Sequence, residues 1–353
     1  MESERTYQMP AEWEKHGATQ LHWPSNRETW PGDSLARVEE VYLEIINKLH
    51  RFEPIILLCD HKTKVDQIKK RMVSNGIDLE RISLYSIPIN DVWARDCGPI
   101  FVKKTRTQKT EYIITDWEYN AWGDKYPPYD ADNAIPGWFS KTFNIPSVKT
   151  GRVLEGGSID TNGAGTFLTT ESVLLNPNRN PELSKGEIKQ LLQNFLGAEN
   201  IIWLKNGLAG DDTDGHIDDL ARFVNKNTIV TMVSDNPDDV NYDTLQENLD
   251  ILNLATDKDG NPFHIIELPM PVTHTEIPTI DGSHYLPASY ANFYIANGIV
   301  LIPLYDKSFD SEILDLFSHL FPDREIAGIQ CSDLVWGQGS IHCITQQLYD
   351  ISI

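Results

Sequence analysis

Two apolar periods alternate along the chain, and their order sets the expected architecture. From Ser34 to His50, the residues Leu35, Val38, Val41, Tyr42, Ile45, Ile46 and Leu49 fall on one face at three- and four-residue spacing, which predicts an amphipathic helix. The run PIILLCD follows as a strand. A second helix is expected from about Val65 to Val73, ending near Asn75 and Gly76, and ISLYSIPI forms the next strand. Further strands are predicted at GPIFV, EYIITDW, TFLTT, SVLLN, IIWL, NTIVTMV, FHIIELPM, NFYIANGIVLIPL and EIAGI. The helices between them are Ser184 to Leu196, Tyr242 to Ala255 and Ser311 to Phe321. Ser184 and Glu187 have the spacing of a capping box ahead of Ile188, Leu191, Leu192 and Phe195, which specifies that helix start best.

This alternation predicts an α/β fold of recurring helix and strand units, although no repeat is visible by letter identity. No Pro-, Gly- or Ser-rich linker divides the chain, so residues 1–353 are expected to form a single domain. The Pro-rich piece from Tyr126 to Pro136 carries Asp130 and Asp132 and reads as an ordered loop. Hydrophobic residues make up 40% and charged residues 23%, enough apolar material for a sizeable core. The 52 acidic residues outnumber the 30 basic ones, for a net charge of -22, which disfavours nucleic acid as a partner because phosphate binding draws on basic side chains. No stretch approaches about 18 uninterrupted apolar residues and no leader pattern opens the chain, so a soluble, untargeted protein without a membrane partner is expected. Cys59, Cys97, Cys331 and Cys343 lack CxxC spacing, which suggests neither a zinc knuckle nor a disulfide framework and fits a reducing cytoplasm.

Four polar clusters could carry chemistry. NDVWARDCGP packs Asp91, Trp93, Arg95 and Asp96 into a loop after a strand, a common place for sites in α/β folds; Arg95 and Asp96 read equally as a structural ion pair. LEGGSIDTNGAGTFLTT sets Glu155 against two glycines, which permit close backbone approach to a ligand or simply a tight hairpin. It lacks the G-x-G-x-x-G spacing of a dinucleotide site, and no phosphate-binding GxxxxGK occurs. In DDTDGHIDDLARF, His216 and Asp218 share a face only if the segment is a strand or loop, because two helical residues at that spacing point about 200° apart. Its carboxylates could suit a hard cation, but neither a calcium-loop pattern nor HExxH is present, so no metal is expected. In WGQGSIHCITQQ, Cys343 reads alone as a small buried hydrophobe; His342, adjacent on an expected strand, would point to the opposite face, leaving His216 as the better base.

A cysteine, a histidine and several carboxylates together suit a guanidinium group. That group is planar, cationic and rich in donors, so carboxylates can grip it while a thiolate attacks its central carbon. A protonated histidine could lower the thiol pKa, protonate departing ammonia and later activate water.

With AEWEKHGATQLHWP, NDVWARDCGP, LEGGSIDTNGAGTFLTT with LLNPNRNP, DDTDGHIDDLARF and GQGSIHCITQQ in this order, the chain closely resembles the agmatine deiminases of the guanidine-modifying pentein superfamily. The resemblance implies a five-bladed pseudo-symmetric α/β propeller with a central active-site tunnel, often assembled as a homodimer, and no cofactor. It also implies that Cys343 is the nucleophile of a covalent amidino intermediate and that His216 is the general acid and base. Asp96 and Asp218 would bind the guanidinium nitrogens, Glu155 would orient the histidine and help retain substrate, and Trp93 would pack over the guanidinium plane or alkyl chain. The cationic guanidine substrate would be agmatine, giving N-carbamoylputrescine and ammonia; arginine or peptidyl-arginine deimination and amidino transfer to an amine are the alternatives. Three departures from the family pattern bear on the pocket: Cys97 in place of a small hydroxyl residue, Asp160 and Thr161 in place of His-Val, and an unusually acidic DDTDGHIDD.

Overall fold

The computed structural model describes residues 7–106, 109–276, 278–279 and 282–351. Strands β1 (Ala18–His22), β2 (Ile55–Cys59) and β3 (Ile82–Ser86) run parallel, with helices Ser34–Leu49 and Lys62–Ser74 crossing between them. Four further sheets follow: β4 (Ile100–Arg106), β5 (Lys109–Glu118) and β6 (Ser147–Val153); β7 (Asp160–Thr161), β8 (Thr166–Thr170) and β9 (Asn200–Leu204); β10 (Ala221–Asn225), β11 (Thr228–Val233) and β12 (His264–Pro269); and β13 (Tyr294–Ala296), β14 (Ile299–Leu304) and β15 (Glu325–Gln330). In each of the four, an antiparallel hairpin precedes a parallel third strand, and helices Ile135–Phe143, Lys185–Leu196, Tyr242–Leu254 and Asp310–Leu320 make the crossovers. The last strand, β16 (Gln346–Leu348), pairs antiparallel with β1, so the first sheet acquires the same pattern from the two ends of the chain. Five α/β units with this recurring topology form the pseudo-fivefold pentein fold.

The crossover helices form because one face of each is apolar. Leu35, Val38, Tyr42, Ile45, Ile46 and Leu49 are buried on the first long helix, and Ile188, Leu192 and Leu196 on the third unit's helix, whose capping box at Ser184 and Glu187 is present. Central strands such as β2 and β8 are buried along their whole length, as parallel strands covered on both faces must be.

Each unit's opening strand is preceded by a tight turn, and these turns position the site. They are Ala94–Cys97 before β4, Gly156–Ser158 before β7, Ile217–Asp219 before β10, residues 289–292 before β13 and Ile341–Ile344 before β16. Ile341–Ile344 packs on Ala94–Cys97, which packs on Gly156–Ser158, which packs on Ile217–Asp219.

Several local expectations change here. SVLLN is a helical turn, Glu171–Leu174, because the Thr170 side chain caps Val173 N–H and the unalternating apolar run is compatible with either structure. The NDVWARDCGP loop and the strand expected around His342 and Cys343 both contain one helical turn. Short or polar strands β1, β6, β7, β10 and β16, and the helix Ile135–Phe143, carry too little periodicity to show in the sequence.

Candidate active site

The turn Ile341–Ile344 carries Cys343, buried at 6% exposure, to the wall of a cavity of about 600 Å³. Trp93, Asp96, Tyr119 and Trp122 line the same cavity, with Tyr126–Asp132 from the Pro-rich segment along its wall. Trp93 lies edge-on to Trp122 and tilted against Trp30, with ring centres 6.2 Å and 5.9 Å away. A Cβ on Gly339 would lie 2.3 Å from the Trp93 ring and 3.1 Å from Cys343 Cβ, so only glycine lets the tryptophan approach the cysteine turn this closely.

Four turns bring the remaining candidates together. Asp96 Oδ1 accepts from Gly157 N–H at 3.0 Å and lies 3.7 Å from His216 Nδ1, while Asp96 Oδ2 accepts from Trp122 Nε1 at 3.0 Å. His216 Nδ1 is also 3.9 Å from Asp218 Oδ1, and Asp218 Oδ2 is 3.9 Å from Cys343 Sγ. His216 has extended backbone and Asp218 is the middle residue of the following turn Ile217–Asp219, so their side chains converge through a loop rather than a strand. Glu155 Oε1 accepts from Arg179 Nε at 2.6 Å. Arg179 also donates to Asp214 Oδ2 and to the Thr213 carbonyl, tying Glu155 to the loop that carries His216. Asp218 Oδ1, Glu155 Oε2 and His216 Nε2 are buried with no hydrogen-bond partner among the described residues, a concentration of unsatisfied polar atoms characteristic of binding sites.

The electrostatics follow from burial and crowding. Burial, with Asp218 and Glu155 adding like charge, raises the Asp96 carboxyl to about 6. Burial disfavours a charged His216, but Asp96, Asp218, Glu155 and Asp211 outweigh it and raise its pKa above the ordinary value. Asp218 is lowered against its own burial by His342, His216 and Arg222. Burial, then Asp218, Asp219 and Asp96, push the Cys343 thiol well above its usual range.

Beneath the site lies a buried ionic layer that sequence reasoning did not assign. His342 Nδ1 meets Asp218 Oδ2 at 2.6 Å and His342 Nε2 meets Glu12 Oε2 at 2.7 Å. Glu12 also pairs with Arg222 at 3.0 Å and Arg95 at 3.2 Å. Arg95 therefore takes Glu12 as its ion-pair partner, leaving Asp96 to face His216. Asp160, one of the family departures, accepts from Phe223 N–H at 2.7 Å and pairs with Arg222 at 3.4 Å. Glu12 and Arg179 do lie in motifs singled out from the sequence, AEWEKHG and LLNPNRNP; Trp122 carries no such signal.

Among the described residues, two groups of metal-capable donors have ligand atoms within 4.8 Å of one another: His22, Cys97 and Asp132, and Asp218, Asp219 and Cys343. The first is an internally satisfied cluster, since His22 bonds the Asp91 carbonyl and Gln20, and both Asp132 oxygens accept backbone N–H groups. The second is the candidate site itself. No helix among the described residues is long and apolar enough to cross a membrane.

The comparisons with known proteins agree with this geometry. Residues 8–348 match the Porphyromonas-type peptidyl-arginine deiminase family. A Legionella pneumophila (strain Paris) protein provisionally named an agmatine deiminase is 38% identical over 342 residues, covering 97% of this chain and 95% of its own. Among solved structures, a Porphyromonas gingivalis protein provisionally named an arginine deiminase superposes with a TM-score of 0.86 at 37% identity, covering 98% of both chains. The agmatine deiminase of Enterococcus faecalis superposes at 0.88 with 31% identity, covering 97% of this chain and 96% of its own. With the motif order, the five-unit fold and the cysteine, histidine and carboxylate cluster all in place, the chain belongs to the Porphyromonas-type peptidyl-arginine deiminase family, within the pentein superfamily of guanidino-group-modifying proteins.

Proposed function

We propose that the protein hydrolyses agmatine to N-carbamoylputrescine and ammonia, with Cys343 as nucleophile and His216 as general acid and base. The observation that carries this reading is the chain of close contacts from Asp96 to His216, His216 to Asp218 and Asp218 to Cys343, with Asp96 and Cys343 lining one cavity. Asp96 and Asp218 grip the guanidinium, Glu155 adds negative charge beside His216, and Trp93 packs against the planar cation.

The chemistry proceeds by displacement. At rest burial holds Cys343 as a thiol, and Asp218, Asp219 and Asp96 add to that effect. A bound guanidinium brings a compensating positive charge to the sulfur. As the sulfur attacks the central carbon, His216 takes the thiol proton, the bond to one terminal nitrogen breaks, and His216 passes that proton to the nitrogen, which leaves as ammonia. Water then attacks the amidino thioether with His216 accepting its proton, the S–C bond breaks, and the ureido product leaves with the thiol restored. No metal or cofactor enters any step, so activity is expected to survive chelation.

Agmatine is favoured over arginine by the charge of the cavity wall. Glu28, Asp60, Asp91 and Asp212 line it in addition to Asp96, whereas Lys125, the cation among the described lining residues, is tied to Asp214 Oδ1 at 2.8 Å. A second ammonium suits such a wall, and an α-carboxylate does not. The names carried by the relatives point the same way for agmatine and toward arginine or peptidyl-arginine as the competing substrates. The test is purified protein with agmatine, arginine and a blocked arginyl peptide, quantifying ammonia and ureido product. Efficient turnover of another substrate with none of agmatine would overturn the assignment. The homodimer implied by the family resemblance is checked by analytical ultracentrifugation.

A further inference from the structure

Four of the five turns supply the candidates already described. The fifth, residues 289–292 in the unit opened by β13, supplies Asn292, which is fully buried. Its Nδ2 donates to Cys343 Sγ at 3.1 Å and to Asp219 Oδ1 at 2.9 Å. Its Oδ1 accepts from His342 N–H at 2.8 Å and from Cys343 N–H at 3.4 Å, and its backbone carbonyl accepts from His342 N–H at 3.1 Å. One amide therefore holds both the reacting sulfur and the backbone that presents it, and every polar atom of the side chain is engaged.

The chemistry of that contact has a direction. Asp218 and Asp219 each have a carboxylate oxygen within 4.8 Å of the buried sulfur, so its surroundings offer acceptors in place of cations. A neutral amide N–H stabilises a thiolate without repelling a cationic substrate, as a lysine or arginine at the same place would. Asp219, second acceptor of the same amide, keeps the donor turned toward the pair.

We propose that Asn292 is a further catalytic residue of this enzyme, donating from Nδ2 to Cys343 Sγ as the thiolate forms and attacks. The inference rests on the reading of Cys343 as nucleophile. No bond to Asn292 is made or broken, and its proton stays on the amide throughout.

The test measures alkylation of Cys343 by iodoacetamide across pH, resolved from Cys59, Cys97 and Cys331 by peptide mass spectrometry, together with kcat and KM for agmatine. Asn292→Ala is expected to slow alkylation at pH 8 on the order of tenfold to a hundredfold and move its pH midpoint upward, the size of one lost hydrogen bond to a charged group. The corresponding kcat should fall by a similar factor, with KM within about threefold. Asn292→Asp keeps the shape, replaces the donor with a charged acceptor, and should slow alkylation at least as much; it also serves if the alanine variant does not fold. A wild-type alkylation profile and kcat in a folded Asn292→Ala or Asn292→Asp variant overturns the proposal. Cys343→Ala separates the two readings: if that variant still turns over agmatine, the nucleophile assignment fails, whereas an inactive Cys343→Ala beside unaffected Asn292 variants sinks the role of Asn292 alone.

Discussion

Buried carboxylates do opposite things in this molecule depending on what faces them. Asp218 is held ionised by His342 and His216, whereas Asp132, facing Asp91 and two backbone N–H groups, is raised by burial to about 7. A carboxyl raised from 3.8 to about 7 binds its proton more tightly when folded, so between about pH 4 and 7 its contribution to stability falls as pH rises. Asp132→Asn removes that slope. The difference in melting temperature between variant and wild type should therefore shift in the variant's favour from pH 5 to pH 8, as read by calorimetry; a constant difference would show that Asp132 does not titrate in this window. Asp96, raised to about 6 by burial, has the same sign, and under the proposed mechanism it grips the guanidinium in its ionised form. The rate with agmatine should fall as pH drops through that value.

At the level of elements, the five turns matter more than the helices and strands that frame them. Gly157 shows how little room they leave: a Cβ there would stand 2.6 Å from His216 Nδ1 and 2.7 Å from Asp96 Oδ1. Gly157→Ala must push these two side chains apart. It should lower kcat for agmatine by about tenfold or more, given how steeply rate depends on alignment, while far-ultraviolet circular dichroism stays unchanged. By contrast the capping box of helix Lys185–Leu196 lies far from the chemistry in both sequence and role. Ser184→Ala should cost about 1 kcal/mol in urea denaturation and leave kcat unaltered. The expected strand SVLLN failed for an instructive reason: β8 ends at Thr170, whose hydroxyl caps the next turn, a competition that apolar patterning cannot register.

On the scale of the whole molecule, the circle is closed twice. β16 pairs with β1 through the backbone, and Glu12 from the N-terminal segment reaches the buried layer under the site to meet Arg95, Arg222 and His342. Against the opposing effect of burial, Arg222, His342 and Arg95 hold the Glu12 carboxyl well below its usual range. Glu12→Gln leaves two buried guanidinium groups without their shared counter-ion, which should destabilise the fold by about 3–5 kcal/mol. The measurement is the shift in denaturation midpoint. A loss below about 1 kcal/mol would mean that Asp160 and Asp218 suffice to balance Arg222.

What the amino-acid order determined by itself was local and periodic: the long amphipathic helices, the apolar central strands, the capping box at Ser184, and the residue types at Trp93, Asp96, Glu155, His216, Asp218 and Cys343 whose chemistry suits a guanidinium. Each of those signals is complete within a few neighbouring residues. The acidic total of -22 could exclude a polyanion but could not place a charge. Only the tertiary structure decided that Asp96 faces His216, that Arg179 rather than His216 is bonded to Glu155, that Trp122 donates to Asp96 and Asn292 to Cys343, and that Arg95 pairs with Glu12. Some of these contacts join units far apart in sequence and others join loops of one unit about two dozen residues apart, and in neither case does local periodicity register the partner.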